Sequence, residues 1–339
     1  MLAYLHMGFP DAVPSREGML SGGGVKYQYL NDVFPAQPSH CNLLYVVSSS
    51  RYHHTYDLLR WYKRRGVKIV WNQNGSYFPH FYGEHYARKM NRRMFREMQL
   101  ADVVLFQSQF AKSATESLMG TFEGVSRILY NSIDTQRFVP VAPSETEIQK
   151  HHQVILMAGS HNDPYRLRLG VETLHVLHRA GDRHLRLKIA GNVLPHIQRE
   201  VEHRIEQLKL GDFVHFLGPY AQAMAQNVYL QGDLLLHTKY MDVCPSMVLE
   251  AMACGLPVVY SKTGGTPELV GEEAGVGVCT RESLHEQFLP EPDALADAVR
   301  EVLANRERFS KGARERVVRQ FDLATWMDAH LQCFQELRS

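Results

Sequence analysis

The chain has 339 residues, 45% hydrophobic and 22% charged, which is an ordinary globular composition at a length that suggests two domains. Lys plus Arg number 37 against 36 Asp plus Glu, so a net charge of +1 gives no reason to expect a nucleic-acid partner. Five scattered cysteines without CxxC spacing argue against a disulfide framework and a structural zinc site, and the 18 histidines show no HExxH pair. No signal-peptide pattern opens the sequence and no apolar run nears the ~18–20 residues of a membrane span, so the expected location is cytoplasmic.

In chain order, MLAYLHM reads as a first strand, and SGGGVKYQYL (21–30) as a glycine-rich loop opening a helix. That loop lacks both GxGxxG and GxxxxGK[ST], which excludes a P-loop and disfavours an NAD-dependent oxidoreductase. NLLYVVSS (42–49), VKIVWN (67–72) and DVVLFQS (102–108) read as buried strands between amphipathic segments. NQNGSYFPHFYGEH (72–85) is dense in amides, aromatics and histidines. It can bind a polar acceptor or a sugar ring through Asn72, Gln73, Asn74 and His80, or it is simply a turn with Asn74-Gly75 at its corner.

EHYARKMNRRMFREMQL (84–100) sets Ala87, Met90, Met94 and Met98 on one helical stripe. Arg88, Arg92 and Arg96 form an i,i+4 ladder elsewhere on that helix, with Lys89 and Arg93 beside it. Arg60, Lys63, Arg64, Arg65 and Lys68 make a second basic cluster. The plain reading is a Met stripe in the core and arginines in water. The sharper one is peripheral contact with anionic lipid at the inner face of the membrane, or with a phosphorylated acceptor.

The strand pattern restarts after a polar Pro/Ser/Thr-containing stretch, and the domain boundary is expected near 140–152. VILMAGS (154–160), LRLKIAG (185–191), FVHFLG (213–218), DLLLHT (233–238) and LPVVYS (256–261) follow. Near-continuous apolar runs between helices indicate parallel strands covered on both faces, hence two doubly wound α/β domains. Ligands in such sheets bind beyond the carboxyl ends of the strands, so the active site is expected in a cleft between the domains. FDLATWMDAHLQCFQEL (321–337) has helical spacing and is expected to pack back on the first domain.

The strand ends of the second half carry polar or glycine chemistry. After VILMAGS, Arg166 and Arg168 stand near a helix start, where a guanidinium can hold a diphosphate, or they lie on a solvated face. Asn192 follows LRLKIAG and Pro219-Tyr220 follows FVHFLG; both turns can border a base or ribose. Gly264 and Gly265 would let backbone approach a ligand closely. MDVCPSMVLEAMACGLPVV (241–259) reads as loop, short helix, Gly255 stop and strand. Glu250 is expected in the helix's first turn and Asp242 just outside its N-terminus, so that both acids converge beside N–H groups that favour anions. An acidic helix start that only satisfies the dipole is the simpler alternative.

EAMACGLPVVYSKTGGTPELVGEEAGVGV, taken with the preceding MDVCPSMVL, resembles the signature of the retaining GT-B glycosyltransferases of the large nucleotide-sugar-dependent family four. ILYNSIDTQRFVP (128–140) resembles that family's crossover between domains. The resemblance covers most of residues 100–335. It implies two Rossmann-like domains facing across a cleft, placed at 1–147 (acceptor side) and 148–320 (nucleotide-sugar side), with 321–339 crossing back to the first. It implies a metal-independent transfer of sugar from a nucleoside-diphosphate donor, UDP- or GDP-sugar favoured, with retention and without a cofactor.

By position, Glu250 would bond the donor ribose and Asp242 the transferred sugar. The backbone of Ser246, Met247, Val248 and Leu249 would cradle the diphosphate, approached by Gly23 and Gly24. Asp242 and Arg166 are the expected catalytic residues. Three departures from the family pattern stand out. Asp242 occupies a position usually held by Glu, and Ser160 one usually held by Arg, which leaves the phosphate charge to Arg166 or Arg168. Asn72-Gln73-Asn74 stands where a histidine is common. The acceptor is expected to be a sugar, a lipid-linked molecule or another small hydroxyl compound. A catalytically degenerate binding protein and a GT-B-fold nucleotide-sugar epimerase are the alternatives.

Overall fold

The apolar runs become parallel strands. The computed structural model describes residues 7–9, 13, 22–37, 40–141 and 152–337, so most of the opening MLAYLHM strand and the expected boundary at 147/148 lie outside the described residues. One compact unit comprises residues 1–131, 283–287 and 324–339; the other comprises 132–282 and 288–323.

The first unit holds a five-stranded sheet in the order β1 (Met7–Gly8), β2 (Leu43–Val47), β3 (Lys68–Gln73), β4 (Val103–Phe106), β5 (Val125–Ile128). Every pairing is parallel. β2 and β4 are buried along their whole length, as strands covered on both faces must be. The Gln109–Met119 helix shows how sequence sets an element's ends: Ser108 Oγ accepts from Ala111 N at 2.9 Å, and Gly120 stops the helix at φ +114°.

The C-terminal helix, Leu323–Glu336, does pack in the first unit. It buries Trp326, His330, Cys333 and Phe334. Phe334 meets Phe34 edge-on at 5.7 Å, and His330 Nε2 accepts from Tyr45 Oη at 3.0 Å while Nδ1 donates to the Trp326 carbonyl at 2.9 Å. Burial holds His330 neutral, with its pKa lowered to about 3.

The second unit holds a six-stranded parallel sheet: β6 (Gln153–Met157), β7 (Leu185–Ala190), β8 (Val214–Gly218), β9 (Leu234–His237), β10 (Val258–Ser261) and β11 (Gly275–Val278). Their order is β11-β10-β9-β6-β7-β8. Helices opened by Pro164, Pro195 and Pro292 at the first helical position cover it. Leu167, Val171 and Leu174 of the first of these pack with Ile155, Leu187 and Val299 in one core, each such burial contributing about 1.5–3 kcal/mol. The chain order reverses between β6 and β9, the switch point where doubly wound sheets leave a crevice beyond their strand ends. This is the GT-B architecture expected from the sequence.

Candidate active site

In the second unit, the ends of β6 and β9 and the start of the Ser246–Ala253 helix meet at the switch point. Gly159, two residues past β6, has φ +98°, and a Cβ there would sit 3.1 Å from Met247 Sδ. A Cβ on Gly191, after β7, would fall 1.9 Å from the Gly159 carbonyl oxygen. The two turns can lie this close only as glycines. β7 carries a register shift at Ile189/Ala190 just before its turn, a device that re-aims a strand end.

Asp242 lies outside the helix start, as expected. Its Oδ2 is 3.2 Å from Lys239 Nζ and 3.4 Å from His237 Nε2. Burial alone would raise this carboxyl; the Lys239 ammonium, then the His237 ring, overcome it and hold the group well below the usual carboxylate range. His237 ends β9, is buried, and is pushed downward by burial. The turn carrying Asp242 is strained: Met241 has φ +54°, and its N–H donates to Thr263 Oγ1 at 3.1 Å.

Gly264 and Gly265 serve that turn. Gly265 N–H donates to the Asp242 carbonyl at 2.8 Å, and a Cβ on Gly264 would lie 2.5 Å from the same oxygen. Their close approach in this structure is to the protein's own backbone.

Glu250 also departs from its expected position. The helix begins at Ser246, so Glu250 is its fifth residue and falls in the second turn. It accepts from Tyr229 Oη at 2.6 Å. Burial pushes its carboxyl up to about 7, against the Tyr229 hydroxyl and the Arg137 guanidinium. Asp242 and Glu250 thus keep separate partners. Of the segment between them, Ser246 and Met247 are half-buried, and Val248 and Leu249 are in the core. Pro245 precedes the helix with no side-chain acceptor to offer its first turn, and Val248 N–H turns back to the Pro245 carbonyl at 3.0 Å.

The two arginines part company. Arg166 is 4% exposed and donates to the carbonyls of Ser160 (2.9 Å) and Ala158 (3.4 Å), so it braces the turn after β6 from beneath. Its charge still reaches Asp242, which favours its protonated form against the burial that lowers its pKa. Arg168 points elsewhere, 3.5 Å from Glu200 on the neighbouring helix, and leaves the site. Two residues along a helix differ by about 200° in direction, so both arginines cannot serve one ligand. Ser160 and Asn192 are exposed; the Asn192 carbonyl accepts from His161 N–H at 2.8 Å.

In the first unit, Gly23 and Gly24 belong to the opening turn of the Gly22–Val33 helix rather than to a loop before it. A Cβ on Gly23 would meet Ser49 Oγ at 2.8 Å, so that glycine too serves packing. Lys26, buried on the same helix, donates to Asn72 Oδ1 (2.8 Å) and Asn74 Oδ1 (3.2 Å), and Gln107 Nε2 donates to Asn72 Oδ1 at 3.2 Å. Gln73 alternates to the opposite face, where Trp71 Nε1 donates to it at 2.6 Å. His80 Nδ1 lies 3.2 Å from the Leu284 carbonyl. Asn72 and Asn74 are therefore grouped, while Gln73 and His80 stand apart.

The sequence profile described as Glycosyl transferases group 1 matches residues 140–316. The chain belongs to the glycosyl transferases group 1 family. All the strand-end residues of the second unit just described fall in the matched span.

Among relatives, the chain is similar to a D-inositol 3-phosphate glycosyltransferase of Saccharomonospora viridis, 33% identical over 131 residues. That match takes in 38% of this chain and 29% of the relative, so the chain spans less than a third of it. The gpi3 protein of the Schizosaccharomyces pombe phosphatidylinositol N-acetylglucosaminyltransferase is 30% identical over 106 residues, 31% of this chain and 21% of that one. Two solved structures share the fold. Anabaena Alr3699/HepE in complex with UDP superposes with a TM-score of 0.72 at 20% identity, covering 87% of this chain and 79% of that one. Sucrose-phosphate synthase of Thermosynechococcus elongatus gives 0.69 at 19%, covering 93% and 77%.

Sequence reasoning missed four residues around the two acids: His237, Lys239, Tyr229 and Arg137. Lys239 was within reach, three residues before Asp242. His237 is five residues before it, while Tyr229 and Arg137 come to Glu250 only through the fold.

Proposed function

We propose that the chain transfers a sugar from a nucleoside-diphosphate donor to a hydroxyl acceptor, with retention at the anomeric carbon and without a divalent cation. The observation that carries this reading is the group at the β6/β9 switch point, inside the family span. There an ionised Asp242, a short helix start suited to anions and a half-buried Glu250 line the strand ends. In this reading the bond between the anomeric carbon and the diphosphate oxygen breaks. The acceptor oxygen bonds that carbon, and a proton and the nucleoside diphosphate are released. The diphosphate sits at the Ser246–Leu249 backbone, Glu250 accepts from the ribose hydroxyls, and Asp242 faces the sugar. Arg166 contributes through the turn it braces and through its charge.

Glu250→Ala then weakens nucleoside-diphosphate binding by roughly ten- to a hundredfold, the worth of a hydrogen bond to a charged group. Calorimetric titration of UDP and GDP measures it, and an unchanged affinity removes the ribose role. Incubation with UDP- and GDP-sugars with and without chelator tests the chemistry; a strict divalent-cation requirement contradicts the metal-independent part. The names of the relatives support including inositol-bearing and lipid-linked acceptors.

We also place the protein in the cytoplasm, with the first unit resting on an anionic membrane. Two helices, Thr55–Arg64 and Glu84–Met98, pack together. The Met stripe is core, with Met94 and Met98 buried, and Arg93 is tied down by Glu97 at 3.2 Å. Arg60, Arg64, Arg65, Arg88, Lys89, Arg92 and Arg96 remain exposed. Tyr56 lies between Arg60 and Arg96, and Trp61, 48% exposed, sits under Arg65, so the two basic clusters form one patch edged with aromatics. At about 1 kcal/mol per basic residue near an anionic surface, such a patch holds at low salt. Co-sedimentation with anionic but not neutral vesicles is expected; protein that stays in solution with both rules out the membrane.

A further inference from the structure

One buried hydroxyl reaches Glu250. Tyr229, at the end of the Ala225–Tyr229 helix, is fully buried and donates its phenol proton to Glu250 Oε2 at 2.6 Å. The hydroxyl of a buried tyrosine is costly to place in a core unless it is used, and here it is spent on one carboxylate oxygen.

We propose that Tyr229 is the positioning residue of the donor site: it pins Oε2 of Glu250 and thereby aims the other carboxylate oxygen at the ribose hydroxyls. The inference rests on the donor reading above and deepens it. A carboxylate free to rotate accepts from a diol less well than one fixed by a second donor, because the rotamer must be frozen on binding. A tyrosine that only filled space would hold the helix equally well as phenylalanine.

The test uses the intact chain and two probes for each base: UDP and GDP, and their 2′,3′-dideoxy analogues, which lack both ribose hydroxyls. The wild-type protein is expected to prefer the ribose form by roughly tenfold or more. In Tyr229→Phe this preference falls to about twofold while the affinity for the dideoxy form is unchanged. Equal weakening of both probes in Tyr229→Phe, or a preference kept at its wild-type size, overturns the positioning role. Should Tyr229→Phe fail to fold by thermal melting, Tyr229→Met, which removes the same hydroxyl, is judged by the same ratio. Glu250→Ala separates the two ideas. If it abolishes the preference while Tyr229→Phe keeps it, the ribose reading stands and the positioning inference falls. If Glu250→Ala keeps the preference, or neither UDP nor GDP binds the wild-type chain, the donor reading falls and takes the inference with it.

Discussion

Asp242→Asn lowers the rate of sugar transfer by roughly a hundredfold or more, the usual cost of removing a preorganised charge from a reacting centre. Affinity for the nucleoside diphosphate changes by less than about threefold, because the lost interaction develops only as the sugar–phosphate bond breaks. The carboxylate is prepared for this at the expense of the fold around it. It is half-buried, yet Lys239 and His237 keep it ionised far below neutrality, and the turn that presents it is strained at Met241. Asparagine keeps the shape and loses the charge. Steady-state kinetics with separate titrations of the diphosphate decide it: equal losses in turnover and affinity make Asp242 a general binding residue.

Gly264→Ala has the next largest effect, on stability and activity together. Gly264 has φ +69°, and an added Cβ would meet the Asp242 carbonyl oxygen at 2.5 Å and the Met241 carbonyl carbon at 2.8 Å, both rigid backbone atoms. The left-handed conformation costs about 1–2 kcal/mol and the overpacking about 1–3 more, so the melting temperature drops by several degrees. Transfer is lost because the displaced atoms belong to the Asp242 turn. Gly181→Ala is the control: its φ of +109° carries the same kind of strain, but nothing lies within 4 Å of the added atom. It should lose some stability and keep its activity. A Gly264→Ala protein that melts and turns over like the Gly181→Ala protein shows that the glycine does not hold the Asp242 turn.

Much of the fold is legible in the sequence because parallel strands buried on both faces read as unbroken apolar runs. VILMA and LLLH need no partner to be recognised. β5 and β11 escaped notice for the opposite reason. Both are edge strands; one is half-exposed with the sequence Val125–Ile128, VSRI, and the other is the glycine-rich GVGV of Gly275–Val278.

The site was half legible. Asp242 and Glu250 could be found from their place around a helix start, but their surroundings could not. Glu250 falls in the second turn rather than the first, because it is the fifth residue of a helix that begins at Ser246. Its partner Tyr229 stands 21 residues away on another helix, a contact that only folding creates. The phase of one helix separates Arg166 from Arg168, and the ion pair with Glu200 shows which one leaves. The contacts of the glycines were not legible either: Gly23, Gly264 and Gly265 lie close to the chain itself, Gly264 and Gly265 against the Asp242 turn.

Binding of a nucleotide sugar at the β6/β9 strand ends, followed by release of its nucleoside diphosphate, is the step on which the proposed function stands. The direct measurement is nucleoside-diphosphate release from UDP- and GDP-sugars across a panel of hydroxyl acceptors, run in parallel on the wild-type chain, Asp242→Asn and Glu250→Ala. Release by the wild type with at least one donor is expected, accompanied by a glycosylated acceptor of matching mass, with near-background release by Asp242→Asn. Glu250→Ala should recover part of its activity as donor concentration rises. Release that is the same in all three proteins, or absent from the wild type with every donor that binds it, contradicts the proposed function.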